Sequence, residues 1–191
     1  MMKNKFLFLF LFTITISIAQ ISESTGVFFA KEFSKDIALF KAKEYLMNSV
    51  LFTSDNVIEF NIKPLVAASS GELTTLIYHC KEESKNGLIL GFYGNYWNKQ
   101  GVVYQGYGFK NLGEKEASEF LNKIENSIEK HKKFLNKDND NNNIIFKYKD
   151  INVMIYTSFS SYKIRLFWGG FDSTWEKTSF QRSKKRFEKK I

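Results

Sequence analysis

The spacing of apolar residues changes period several times along the chain. Around SKDIALFKAKEYLMNSVL (residues 34–51), Phe33, Ile37, Phe40, Met47 and Leu51 recur at helical intervals, with Glu44 breaking the stripe and Ser34 placed to cap it. NVIEFNIKP then alternates. Ile58, Phe60 and Ile62 point one way and Val57, Glu59 and Asn61 the other, as in a half-buried strand ended by Pro64 and SSG. Strands are predicted over 72–82, 88–97 and 102–109. The strongest helical pattern follows over 114–135, where Ala117, Phe120, Leu121, Ile124, Ile128 and Leu135 form one stripe. Beyond the polar loop NKDNDNNN come strands at 144–149, 151–157 and 162–168. A last helix is predicted over 174–190, capped by Ser173 or Thr174, with Phe180, Phe187 and Ile191 on one side.

The element order is therefore αβ, βββα, βββα. Consecutive strands with short links pair antiparallel, and helices bury their stripes against a sheet. The expected fold is α+β: a two-layer sandwich with a mainly antiparallel sheet of about six to seven strands and about three helices on one face. GYGFKNLGEKEASEF and WGGFDSTWEKTSF both run from a strand through Gly-Phe into a capped helix. A diverged repeat explains this short similarity about as well as convergent strand-to-helix chemistry does.

The N-terminus reads differently. Lys3 and Lys5 precede the apolar run FLFLFLFTITISI, and Ser17 and Ala19 stand at −3 and −1 before Gln20. That is the pattern of a secretory signal peptide. The run is short for a membrane span, and Gln20 stands where a lipoprotein would need cysteine. The expected organisation is a signal peptide over 1–19 and one domain over 20–191, secreted or periplasmic, with no transmembrane segment in the mature chain. The abundance of Lys, Asn, Ile and Phe suggests an AT-rich bacterial genome.

Charge narrows the choice of partners. The net charge of the chain is +8, of which the leader carries two lysines. A basic surface favours anionic partners. Cys80 is the single cysteine, so no internal disulfide forms, and its setting in LIYHC reads as a buried, inert thiol.

The densest aromatic stretch is YGNYWNKQGVVYQGYGF (residues 93–109). It reads as a hairpin turning at NKQG, with Trp97 opposite Val102 and Tyr93 opposite Gly106. A three-residue turn at Lys85–Gly87 then puts Leu76, Tyr78 and Cys80 on the core face with Leu90 and Phe92, and His79 opposite Tyr93 on the outer face. His79, Tyr93, Asn95, Trp97 and Tyr104 become a candidate ligand platform, since rings separated by glycines can stack on sugars. Ordinary packing of the rings is the competing explanation.

Other constellations carry less. His131 sits near a helix C-terminus, where its charge complements the dipole. His79 and Cys80 are strand neighbours on opposite faces and cannot act as a pair. DNDNNNIIFKYK opens like a calcium loop with Asp138, Asp140 and Asn142, but Asn143 and Lys149 replace the required glycine and glutamate, so no metal is expected. No cofactor is expected either. The C-terminal run RSKKRFEKK supplies Arg182, Lys184, Lys185, Arg186, Lys189 and Lys190 as candidate anion-binding residues, or simply a solvated helix end.

The leading expectation is an exported, non-enzymatic binding or interaction domain. The second is an envelope-associated protein that binds anionic lipid or glycan through its basic C-terminal helix. The third is an enzyme whose site is assembled from distant residues. The admissible partners are a glycan, an anionic lipid or another protein; nucleic acid fits an exported chain poorly.

Overall fold

A computed structural model of the chain describes residues 25–27, 35–51, 57–67, 72–97, 99–136, 142–159 and 161–191. The signal peptide expected over 1–19 lies outside them, as do Asp138 and Asp140 of the calcium-like loop. The elements are β1 (Thr25–Val27), α1 (Lys35–Leu46) running into a π-helical turn (Met47–Leu51), β2 (Phe60–Ala67), β3 (Leu73–Cys80), β4 (Lys85–Trp97) and β5 (Val103–Gly113), then α2 (Glu114–Lys130) and the short α3 (Lys132–Leu135). A second set follows: β6 (Asn143–Tyr148), β7 (Ile151–Ser158), β8 (Ser161–Trp168), β9 (Phe171–Glu176) and α4 (Lys177–Lys190).

The fold is α+β and its strand pairs are antiparallel, but the expected single sheet of six to seven strands is replaced by two four-stranded meanders. β2–β3–β4–β5 leads into α2, and β6–β7–β8–β9 leads into α4. β1 adds to the outer edge of β5. Among the described residues the two ladders join at one pair, Tyr96 of β4 with Phe171 of β9. Gly94 makes the joint possible. Its φ of +125° lies where side-chain-bearing residues rarely go. It falls where β4 leaves β3, last paired at Phe92, and turns toward β9.

Each meander and the helix after it thus read ββββα, not βββα. The second unit's extra strand is β9, where sequence reasoning had started the last helix. Asp-Ser-Thr resembles a helix cap, but Phe171, Ser173 and Trp175 alternate and all three are buried. Trp175 meets Phe180 edge-on, with centroids 5.1 Å apart, so the helix begins only at Lys177.

The helices do not share one face. α2 and α4 pack into a core that draws on both meanders: Leu73, Leu88, Phe92 and Leu112 from the first, Ile155, Leu166, Phe171 and Trp175 from the second. All six residues of the expected α2–α3 stripe are buried in it. α1 covers the opposite face of the first meander. Ala42, Leu46, Val50 and Leu51 pack there with Leu76, Tyr78, Cys80, Ile89, Tyr93 and Phe109. The α1 stripe is rotated from the expected one: Phe40 is 65% exposed and Met47 39%, while Ala42 and Leu46 are sealed. Both sets have helical spacing, and the small Ala42 lets the helix approach the sheet closely. The corresponding outer face of the second meander carries no helix among the described residues. Met154, Tyr156, Lys163, Arg165, Phe167 and Asp172 stand on it half-buried.

Candidate functional site

The hairpin at residues 93–109 exists, but its register is shifted by one from the expected pairing. Tyr93 pairs with Tyr107 and Trp97 with Val103. The preceding turn is Lys81–Ser84, closed by the Ser84 N–H donating to the Lys81 carbonyl at 3.1 Å, with Cys80 opposite Lys85. This parity puts Leu76, Tyr78 and Cys80 under α1 and away from Leu88, Leu90 and Phe92. His79 is exposed and pairs with Asn86, and their side chains share a hydrogen bond. Tyr93 is buried under α1, on the other face. The expected common face of His79 and Tyr93 therefore does not form.

One glycine beside these rings has a packing reason. A Cβ at Gly91 would come within 2.8 Å of the Tyr93 hydroxyl and 2.7 Å of Thr74 Oγ1. The space left by Gly91 is filled by the Tyr93 ring itself. Burial pushes the Tyr93 phenol up to about 12. Its ring meets Phe109 edge-on at 6.1 Å. Asn95 and Tyr104 keep their places in β4 and β5, but their side chains lie outside the described residues.

Among the members of the set whose side chains are described, Trp97 reaches a cavity. It is 54% exposed and lines a cleft of about 420 Å³ where the two meanders meet. The other walls are Asp150, Asn152, Phe167, Trp168 and Asp172, with the Gly169–Gly170 turn and Phe171. The Trp97 N–H donates to the Gly170 carbonyl at 3.0 Å, which fixes the β4–β5 hairpin against the β8–β9 turn. Asn152, Phe167 and Asp172 form one cross-strand row, so the cleft opens onto the outer face of the second meander.

The two carboxylates of this cleft are held by partners. Asp150 accepts from Lys110 Nζ and from Trp168 Nε1, both at 2.8 Å. Burial works against its charge, but these two donors outweigh it and hold the carboxyl below its ordinary range. Asp172 forms a two-pronged ion pair with the Arg165 guanidinium. Trp168 lies near parallel to Phe171 with centroids 6.5 Å apart, and 5.1 Å from Phe92, so the floor is rigid aromatic core. Sequence reasoning missed Asp150, Phe167, Trp168 and the Gly169–Gly170 turn. They lie more than fifty residues from Trp97, and the meeting of the two meanders around Tyr96 and Phe171 brings them together. The paired glycines at a strand end were the available signal.

The remaining candidates separate. His131 edges a depression of about 500 Å³ along the solvent side of α2, which has no aromatic lining. Asn142 is buried and donates to the Phe134 carbonyl at 2.7 Å. Of the six basic residues, Lys184 is buried between Glu125, at 3.1 Å, and Glu188. Arg186 donates to the Leu65 carbonyl. Arg182, Lys185, Lys189 and Lys190 stand exposed on α4. Among the described residues no three His, Cys, Asp or Glu gather as metal ligands, and no helix is long and apolar enough to cross a membrane.

No protein-family model, curated protein or solved structure matches the chain.

Proposed function

We propose that the protein is an exported, non-enzymatic binding domain and that its ligand, a neutral saccharide or similar polyol, lies in the cleft beside Trp97. The leader pattern in residues 1–19 supports export. The observation that carries the binding reading is an exposed indole at the rim of a rigid polar cleft. Trp97 is half-exposed, while Trp168, Phe171 and Trp175 are drawn into or against the core. An indole face stacks on the apolar face of a sugar ring. The Asn152 amide, the Asp150 and Asp172 carboxylates and the backbone around Gly169–Gly170 supply donors and acceptors for hydroxyls. Both carboxylates are already neutralised, Asp150 by Lys110 and Asp172 by Arg165, which suits a neutral ligand better than a cationic one. The two donors that hold the Asp150 carboxyl below its ordinary range also disfavour it as a general acid, which must hold a proton near neutral pH.

A glycan array on the exported protein, followed by tryptophan fluorescence titration of the hits, tests this reading. Saccharide binding that is lost in Trp97→Ala at unchanged melting temperature is the expected result. Absence of any saccharide hit, or undiminished binding by the variant, would overturn it.

A further inference from the structure

We propose that the solvent face of α4 docks the protein on an anionic lipid surface, independently of the cleft. The charge distribution is the first observation. Residues 177–190 hold seven of the chain's 28 lysines and arginines and one of its 20 acids. The leader holds two more cations. Residues 20–176 are left with nineteen of each sign, so the positive excess beyond the leader belongs entirely to α4.

The helix sorts that charge by face. Lys184 turns inward onto Glu125 and Glu188, which occupies the one acid of α4. Arg182, Lys185 and Lys189 are exposed at i, i+3 and i+7, a single stripe about 10 Å long at 1.5 Å per residue. Arg186 flanks it.

The shape of the stripe selects the partner. Phe180 and Phe187 are buried, so α4 has no apolar face with which to insert and no exposed ring on which a sugar could stack. Its cations diverge from a convex surface, which cannot converge on one small anion. A flat sheet of negative headgroups meets all of them at once. Three cations near such a surface give about a hundredfold preference over a neutral one.

Sedimentation of the protein with vesicles provides the test. Binding to phosphatidylcholine vesicles containing phosphatidylglycerol, but not to phosphatidylcholine alone, is expected, and raised salt should abolish it. The triple variant Arg182→Gln, Lys185→Gln, Lys189→Gln should lose about a hundredfold in vesicle affinity, while cleft binding and melting temperature stay unchanged. A charge-matched control, Lys130→Gln, Lys132→Gln, Lys133→Gln on the exposed end of α2–α3, should bind as the parent does. Equal binding to neutral vesicles, or an equal loss in the control, would overturn the proposal. So would capture of an anionic polysaccharide through the stripe without vesicle binding. If the triple variant melts early, Lys185→Gln and Lys189→Gln singly must each weaken vesicle binding at the parent's melting temperature, or the proposal fails.

Discussion

The Thr75 and Ser183 hydroxyls, 108 residues apart in the chain, share a hydrogen bond of 2.7 Å with both residues buried. Thr75 lies on β3 and Ser183 on α4, so the helix that follows the second meander is fastened to the first. Ser183→Ala removes one partner of a buried pair and should cost about 1–2 kcal/mol. The loss is limited because Thr75 Oγ1 also donates to the Val66 carbonyl at 3.3 Å. Thr75→Val with Ser183→Ala removes both hydroxyls and should cost less than the two single changes together. A double-mutant cycle by urea denaturation measures the coupling; strict additivity would show that the bond contributes nothing.

The helix stripe allows a sharper comparison. Phe120 and Ile124 are completely buried, and Phe134 is 40% exposed. Phe120→Ala and Ile124→Ala should each destabilise by about 2–5 kcal/mol through lost burial and the cavity left behind. Phe134→Ala should fall within about 0.5 kcal/mol of the parent, as surface changes usually do. Denaturant midpoints for the three variants check the ranking.

Two carboxylates make stability depend on acid. The hydrogen bond from Lys149 is the main cause holding Glu116 below its ordinary range. Lys110 and the Trp168 indole hold Asp150 down against burial. A depressed folded value means that the unfolded chain takes up protons first. The stabilisation is present above the ordinary carboxylate range and is lost as pH falls through the folded values. Both side chains are more than a third exposed, so the effect is modest and salt-screened. Urea midpoints measured between neutral and acid pH should fall less steeply in Glu116→Gln and Asp150→Asn than in the parent. An unchanged slope would rule out a contribution from these pairs.

What could be read in the sequence was local; what could not was parity and partnership. The α2 stripe and the alternation of Ile58, Phe60 and Ile62 follow from periodicity within one element, and the structure keeps both. The face shared by His79 and Tyr93 depended on the β3–β4 turn, which lies at Lys81–Ser84 and not at Lys85–Gly87. Periodicity also could not choose between Phe40 and Leu46 on α1, because both lie on helical stripes. The cleft was least legible. Trp97 was singled out for its ring, but its neighbours Asp150 and Trp168 come from another meander through a bend at Gly94 that no local pattern announces.

The ion pairs of Lys184 should respond unequally to removal of either side. Its side chain is only 11% exposed, whereas Glu125 and Glu188 are about half-exposed, at 48% and 52%. Lys184→Met leaves two carboxylates that water can solvate and fills the lysine's volume, so it should shift stability by no more than about 1 kcal/mol. Glu125→Gln with Glu188→Gln leaves a buried ammonium without a counter-charge. The glutamine carbonyls still accept hydrogen bonds, so the expected loss is about 1–3 kcal/mol, short of the cost of a wholly unpaired charge. The pH dependence gives this a second readout. Burial lowers the Lys184 value, but Glu188 and Glu125 together outweigh it and raise the net value above the ordinary one. The parent's stabilisation is therefore present at neutral pH and fades as pH rises through that raised value. In the double variant burial acts alone and the ammonium deprotonates earlier, which relieves the penalty. The stability difference between the two proteins should narrow as the solution becomes alkaline. A difference that stays constant with pH would mean that the loss is one of packing and not of charge.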